Sequence, residues 1–272
     1  MKLTVLVDNN TIIDKYYCGE PAVSYFIECE GQRFLFDAGY SDVFSKNAKA
    51  MGIDLLALDG IIISHGHNDH TWGLVELQRL YSDTAAKRPK LIAHPGAFQK
   101  KRENGLVVGS LLSPESLAVN FSVQLSKTPV MLTENLLFLG EIERQDSLEV
   151  IQPLGETFCG NHWQPDYVLD DSALVYKSAR GLVIITACSH AGICNIIEYA
   201  KKVCGDNRIY DVIGGFHLLQ PDAVRLRMTM DYFKKIQPHA IYAAHCTDLR
   251  SKINLAKVAN VQEVGVGLEI AY

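Results

Sequence analysis

The chain is a succession of short apolar runs, each closed by a polar turn. Residues 3–8 are apolar up to Asp8, and in 22–29 Ala22, Ser24, Phe26 and Glu28 alternate with Val23, Tyr25, Ile27 and Cys29. Both stretches predict strands, because successive side chains of an extended segment point to opposite faces. Gly31-Gln32 marks a hairpin turn into Arg33-Phe34-Leu35-Phe36, which ends in Asp37-Ala38-Gly39. Ser41 stands where it would cap a helix through Phe44, Ala48 and Met51, closing at Gly52. Residues 53–63 return to the sheet and end in Gly60-Ile61-Ile62-Ile63, a short β-branched run of the kind a buried strand uses. Leu74, Leu77 and Leu80 predict a helix over 71–80, and Lys90-Leu91-Ile92-Ala93 predicts a strand leading to His94-Pro95-Gly96. Residues 95–150 are less regular. The Gly109-Ser110 turn, Pro114 and apolar runs at 136–139 and 148–151 predict a strand-and-loop insert.

The second half has a steadier beat of strand, turn and helix. Residues 172–176 and 181–186 predict a hairpin through Ala179-Arg180-Gly181. Residues 191–203 predict a helix with Ile193, Ile196, Ile197 and Ala200 on one face. A strand over 209–213 leads into Gly214-Gly215-Phe216-His217-Leu218, and Pro221 opens a helix to about residue 236. A strand over 240–244, a helix over 249–258 and a strand over 262–270 complete the chain.

Composition narrows the function classes. With 272 residues, 48% hydrophobic and 21% charged, the chain can bury a sizeable core as one large domain or two small ones. The net charge is −5 and the densest basic run is only Lys100-Lys101-Arg102, so no nucleic-acid partner is expected. The first eight residues turn polar too soon for the apolar part of a signal peptide. No run approaches the ~18–20 apolar residues of a membrane span, so no membrane partner is expected either. Seven cysteines, odd in number and without a C-x-x-C pair, fit a reduced, cytoplasmic protein.

The chemistry is concentrated in Ser64-His65-Gly66-His67-Asn68-Asp69-His70, directly after the isoleucine run. Three of the nine histidines fall within six residues. In an extended segment His65 and His67 point the same way and can grip one ion, while His70 can reach a second. Asp69 shares the parity of His65 and His67, but a turn into a helix would re-aim it. Imidazole nitrogen and carboxylate oxygen suit zinc, iron or manganese. Further histidines close three later strands: His190 in Cys188-Ser189-His190, His217 after two glycines, and His245 in His245-Cys246-Thr247. The two glycines before His217 permit close backbone approach, which suits a site loop. His94 ends a strand too, where it is either structural or within reach of the site.

His65-x-His67-x-Asp69-His70 at the end of an Ile-rich strand resembles the signature of the metallo-β-lactamase-fold superfamily. The resemblance implies an α+β fold, a four-layer αββα sandwich with a one- or two-metal site at one edge of its two sheets. It implies a single domain over 1–272, with a lid-like insert at about 95–150. Asp37 resembles the aspartate that buttresses the metal loop, the alternative being a plain turn aspartate. The ligand set it implies is His65, His67 and His190 on one ion and Asp69, His70 and His245 on the other. Two divalent ions follow as cofactors, zinc first, with iron or manganese as alternatives, and a metal-activated hydroxide as the usual nucleophile. Asp69 is expected to relay a proton as well, and His217 is either a further metal ligand or the group that touches the leaving oxygen. The chain departs from the commonest pattern at two places. Cys188 and His190 stand where the superfamily usually has a bridging carboxylate or thiolate, and Asp170-Asp171 stands where it has a ligand histidine. Cys188, Asp171 and His94 are therefore open as further ligands.

The wider set, including Gly140-Glu141-Ile142, Asp170-Asp171, Cys188-Ser189-His190-Ala191-Gly192 and His245-Cys246-Thr247, is similar to one branch of the superfamily. Its members resemble the dihydropterin-ribofuranosylaminobenzene-phosphate synthase of methanopterin biosynthesis. The first expectation is a binuclear metal-dependent hydrolase acting on a phosphoester or related small-molecule ester. The alternative is a transferase condensing a dihydropterin diphosphate with a ribofuranosylaminobenzene phosphate. A non-catalytic ligand-binding protein on the same fold is a third reading. The expected partner is a phosphorylated small molecule.

Overall fold

A computed structural model describes residues 1–272 except 83, 85, 86, 146–148, 150 and 151. Of the apolar run expected at 148–151, only Glu149 is among the described residues. The chain opens with β1 (Lys2–Val7), β2 (Ser24–Cys29), β3 (Gln32–Phe36), α1 (Val43–Ala50), β4 (Gly60–Ile63), α2 (Asn68–Thr71), α3 (Leu74–Ser82) and β5 (Lys90–Ala93). It continues through β6 (Lys101–Glu103), β7 (Leu106–Val107), α4 (Pro114–Leu117), β8 (Ser122–Leu125), β9 (Val130–Met131), β10 (Leu136–Phe138), β11 (Glu156–Cys159) and β12 (His162–Pro165). The last part is β13 (Leu174–Ser178), β14 (Gly181–Ile185), α5 (Ile193–Cys204), β15 (Ile209–Gly215), α6 (Ala223–Ile236), β16 (Ala240–Ala244), α7 (Leu249–Leu255) and β17 (Glu269–Ala271). These elements form two compact units. The first comprises Met1–Lys127, Pro153–Asp166 and Gly265–Tyr272; the second comprises Thr128–Gln152 and Tyr167–Val264.

The first unit is built on a seven-stranded sheet of order β17-β1-β2-β3-β4-β5-β8. Its β1–β3 meander is antiparallel, and β3, β4, β5 and β8 run parallel. Glu30 and Gly31, at φ of 52° and 77°, make the β2–β3 turn in the left-handed region that a tight hairpin needs. On one face, Phe44, Ala48, Leu74 and Leu77 of the helices pack with Leu35, Ile61, Ile63 and Leu91. The alternate residues Tyr25, Ile27, Phe36 and Ile62 are also fully buried. A sheet covered on both faces explains why its strands read as unbroken apolar runs rather than alternating ones. Burying each such side chain is worth about 1.5–3 kcal/mol. A four-stranded sheet of order β12-β11-β6-β7 belongs to the same unit and was not foreseen from the sequence pattern.

Three boundaries differ from the sequence reading. The helix expected over 71–80 is two helices, broken at Trp72-Gly73. The Gly73 N–H leaves the helical ladder for Gly39 O at 3.1 Å. A Cβ on Gly73 would lie 2.0 Å from Ala38 O, so the chain passes too close there for any side chain. The N-cap of α1 is Asp42, although Ser41 Oγ accepts the Val43 N–H at 3.3 Å while donating to Glu20. The final strand is only Glu269–Ala271, with Gly267 at φ 89° in the loop before it.

The second unit carries a six-stranded sheet of order β16-β15-β14-β13-β10-β9. Its β14, β15 and β16 are parallel neighbours. Ile193, Ile196, Ile197, Phe233 and Leu255 from the helices pack with Val175, Ile184, Val212 and Ile241 of the sheet. Leu174, Val183, Ile185 and Ile213, on the opposite face, are equally buried. The chain thus has the expected fold, mixed α and β with two main sheets flanked by helices. None of the seven cysteines is in a disulfide. Among the described residues no helix is long and apolar enough to cross a membrane.

Candidate metal centre

In the first unit the chemistry leaves the sheet at the carboxyl ends of parallel strands, where open α/β sheets bind ligands. β3 ends at Asp37, β4 at Ser64-His65 and β5 at His94. Asp37 is fully buried and turns at φ 59°, a conformation aspartate tolerates better than most residues. Its Oδ1 accepts the Ser64 N–H at 2.7 Å, and its Oδ2 accepts from Ser64 Oγ at 2.6 Å and His70 Nδ1 at 2.7 Å. Since the one hydroxyl proton of Ser64 goes to Asp37, Ser64 Oγ must accept from His65 Nδ1, 2.9 Å away. That fixes the tautomer of His65 and leaves its Nε2 as an acceptor. His65 Nε2 lies 3.1 Å from His67 Nδ1, with the rings edge to face.

His70 is held the same way. Its Nδ1–H is committed to Asp37, and its Nε2 lies 3.3 Å from Asp69 Oδ2. Burial pushes its pKa down, but the charges of Asp69 and Asp37 outweigh that and hold it well above the ordinary histidine value. Two carboxylates around one buried ring call for positive charge at Nε2, which either a proton or a divalent ion supplies. Three imidazoles and the Asp69 carboxylate gathered on this loop are the chemistry of a metal donor set, so the residues present fit a divalent ion. Asp69 keeps its side chain 24% exposed, and His67 ends its extended stretch as the N-cap of α2.

Close packing explains the rest of this motif. A Cβ on Gly66 would lie 2.2 Å from Ala97 O, so only glycine fits between His65 and His67. His94 Nδ1 accepts the Gly96 N–H at 2.9 Å and caps the short turn that carries Ala97. Gly109, following β7, forms an isolated β-bridge with His67 and accepts the Trp72 indole N–H at 2.9 Å.

In the second unit the three parallel strands β14, β15 and β16 end in Cys188 and His190, in His217, and in His245 respectively. Each exit turns through the left-handed region: Ser189 at φ 61°, His217 at 49° and His245 at 44°. Such conformations persist only where the surroundings over-determine them. Ser189 Oγ donates to Gly215 O at 2.6 Å and sits 2.9 Å from Thr186 Oγ1. Cys246 Sγ accepts the His217 N–H and donates to Cys188 O, both at 3.3 Å. Asp171 Oδ2 accepts the Ala191 N–H at 2.8 Å, so it shores up the 187–192 turn. Gly214 and Gly215 are required by crowding: a Cβ would meet Thr186 O at 2.1 Å and Ala187 O at 2.5 Å. The rings of His190 and His217 lie 4.4 Å apart.

The candidate metal donors are His65, His67, Asp69 and His70 in the first unit and Cys188, His190 and His245 in the second. Sequence reasoning did not foresee the roles of Ser64, Thr186, Ser189 and Cys246 as holders of these turns, because short polar residues beside histidines carry no signal of their own.

A family model for the metallo-beta-lactamase superfamily matches residues 19–168. The chain is 29% identical over 266 residues to the 7,8-dihydropterin-6-methyl-4-(beta-D-ribofuranosyl)-aminobenzene-5'-phosphate synthase of Methanocaldococcus jannaschii, covering 93% of this chain and 89% of that one. It is 30% identical to an uncharacterised protein of the same organism, covering 95% of each. A solved metal-dependent hydrolase of the beta-lactamase superfamily superposes with a TM-score of 0.85 at 25% identity, covering 100% of this chain and 99% of that one.

Proposed function

The chain belongs to the metallo-β-lactamase superfamily, and on that footing we propose that it is a binuclear metal-dependent enzyme acting on phosphorylated small molecules. The reading we put first is the transferase: condensation of a dihydropterin diphosphate with a ribofuranosylaminobenzene phosphate, with pyrophosphate leaving. The relative of that activity, alike along 93% of this chain, favours it over simple hydrolysis. The observation that carries the metal-dependent part is the Asp37–Ser64–His65 and Asp37–His70 hydrogen bonding, which commits Nδ1 of both rings and turns each Nε2 toward a further candidate donor, His67 and Asp69 respectively.

In this reading His65, His67 and His190 hold one ion. Asp69, His70 and His245 hold the other, with Cys188 as a further donor to it. When bound, such ions lower the pKa of water and neutralise charge developing on a phosphate oxygen. The chain's own side chains do the rest. Asp37 fixes the tautomers of His65 and His70, Asp69 holds or moves a proton at its exposed oxygen, and His217 stands beside His190 to serve the leaving oxygen. Of the 95–150 stretch, the part around β6 and β7 serves as a lid, and Gly109, bridged to His67, ties it to the metal loop.

The test is direct. Protein reconstituted with zinc, manganese or iron is given both condensation substrates, and pyrophosphate and the coupled product are quantified. A second reading, phosphoester hydrolysis, draws on the likeness to the solved metal-dependent hydrolase. Phosphomonoesters, phosphodiesters, lactones and thioesters run in parallel decide between them. Stoichiometric metal without turnover of any of these leaves the non-catalytic alternative.

A further inference from the structure

One partly exposed aromatic pair of the first unit is built from the same segments as the metal motif. Tyr40 and Trp72 stack with centroids 4.9 Å apart and planes 28° from parallel. Trp72 stacks on one face of the Tyr40 ring, and Tyr40 as a residue stays 40% exposed. The pair is anchored at two points. The Trp72 indole N–H is tied to Gly109 O at 2.9 Å, and the Tyr40 N–H to Glu20 Oε1 at 2.9 Å. Its position is as informative as its anchoring. Tyr40 lies three residues beyond Asp37, Trp72 two residues beyond His70, and Gly109 bridges His67. Every segment that builds the stack also builds the metal motif.

We propose that the open face of Tyr40, backed by Trp72, is a stacking platform for a planar ring of the substrate. Aromatic faces attract flat rings with little dependence on substituents, and a platform fixed in advance spends little entropy on binding. The proposal rests on the transferase reading, in which both substrates carry an aromatic ring; the shared chemistry is a flat ring joined to a phosphate held at the metals.

Two unphosphorylated probes separate the sources: a 6-substituted pterin and a ribofuranosylaminobenzene. Binding to the zinc-loaded full chain is measured by calorimetry. It is measured also by tryptophan fluorescence in Trp163→Phe, which leaves Trp72 as the reporter. One of the probes should bind and quench Trp72. Tyr40→Ala should weaken it about 10- to 100-fold, the scale of one ring-on-ring stack. Tyr40→Phe should bind like the parent, and zinc content and inorganic phosphate affinity should not change in either variant. Equal affinity in Tyr40→Ala and the parent, or no binding of either probe to the parent, overturns the platform. Condensation is measured on the same preparations. Ring binding that depends on Tyr40 without condensation means that the platform stands and the transferase reading falls; condensation unaffected by Tyr40→Ala means the converse.

Discussion

The two units present their histidines by opposite means. In the first, the donors lie within six consecutive residues, and one buried carboxylate orients two of them: Asp37 accepts from Ser64 and His70, and Ser64 in turn fixes His65. In the second, the donors come from three separate strand ends. Each is aimed by a left-handed backbone turn and by glycines that let neighbouring chains touch. The first unit spends hydrogen bonds to orient side chains; the second spends backbone strain. The difference teaches where each is vulnerable. Hydrogen-bonded donors are sensitive to the loss of charge, and strained exits are sensitive to any added atom.

The comparison can be broken most severely at His67. His67→Ala should cut metal-dependent turnover roughly a thousandfold, the scale of losing one preorganised group at a reacting centre, while the melting point of the metal-free protein barely moves. Full turnover with substoichiometric metal by elemental analysis would contradict the ligand assignment. Next come the crowded glycines. Gly214→Ala and Gly66→Ala put a Cβ 2.1 Å from Thr186 O and 2.2 Å from Ala97 O, and each should cost about 3 kcal/mol or more in urea unfolding. Gly214→Ala should cost more, because its φ of 132° adds backbone strain that Gly66 does not have.

Asp37→Asn tests the hydrogen-bonded half. It should weaken metal affinity about 10- to 100-fold in a competitive chelator titration and leave the fold intact. Equal metal affinity in the variant would mean that Asp37 merely fills its turn. The smallest effect concerns Glu149 in the second unit. Burial raises its pKa, and the Arg225 charge and the Cys194 N–H offset this only in part. A raised carboxyl stabilises the fold while protonated, and that contribution is lost as pH rises through its folded-state value. Glu149→Gln, neutral throughout, should therefore lose less stability than the parent as pH rises above the ordinary carboxylate range in denaturant titrations. Parallel curves would mean that Glu149 ionises at no cost to the fold.

Much of the fold was readable because its signals are local. β4, β5, β14 and α5 follow from short apolar runs and a 3.6-residue stripe, and the 64–70 motif announces its donors within one turn of chain. The break at Gly73 was not readable, because the carbonyl that excludes a side chain there belongs to Ala38, 35 residues earlier. The β11–β12 hairpin was missed for a similar reason. Its partner β6 lies more than fifty residues away, and neither segment alternates cleanly.

The sequence by itself pointed to the candidate metal donors, the imidazoles after β4, β14, β15 and β16 and the carboxylate of Asp69, and to Asp37 as their buttress. Tertiary structure alone decided their tautomers and directions. A histidine offers a lone pair at Nδ1 or Nε2 according to the hydrogen bond its other nitrogen makes. For His65 and His70 that bond runs to Ser64 and Asp37, brought together only when β3 and β4 pair.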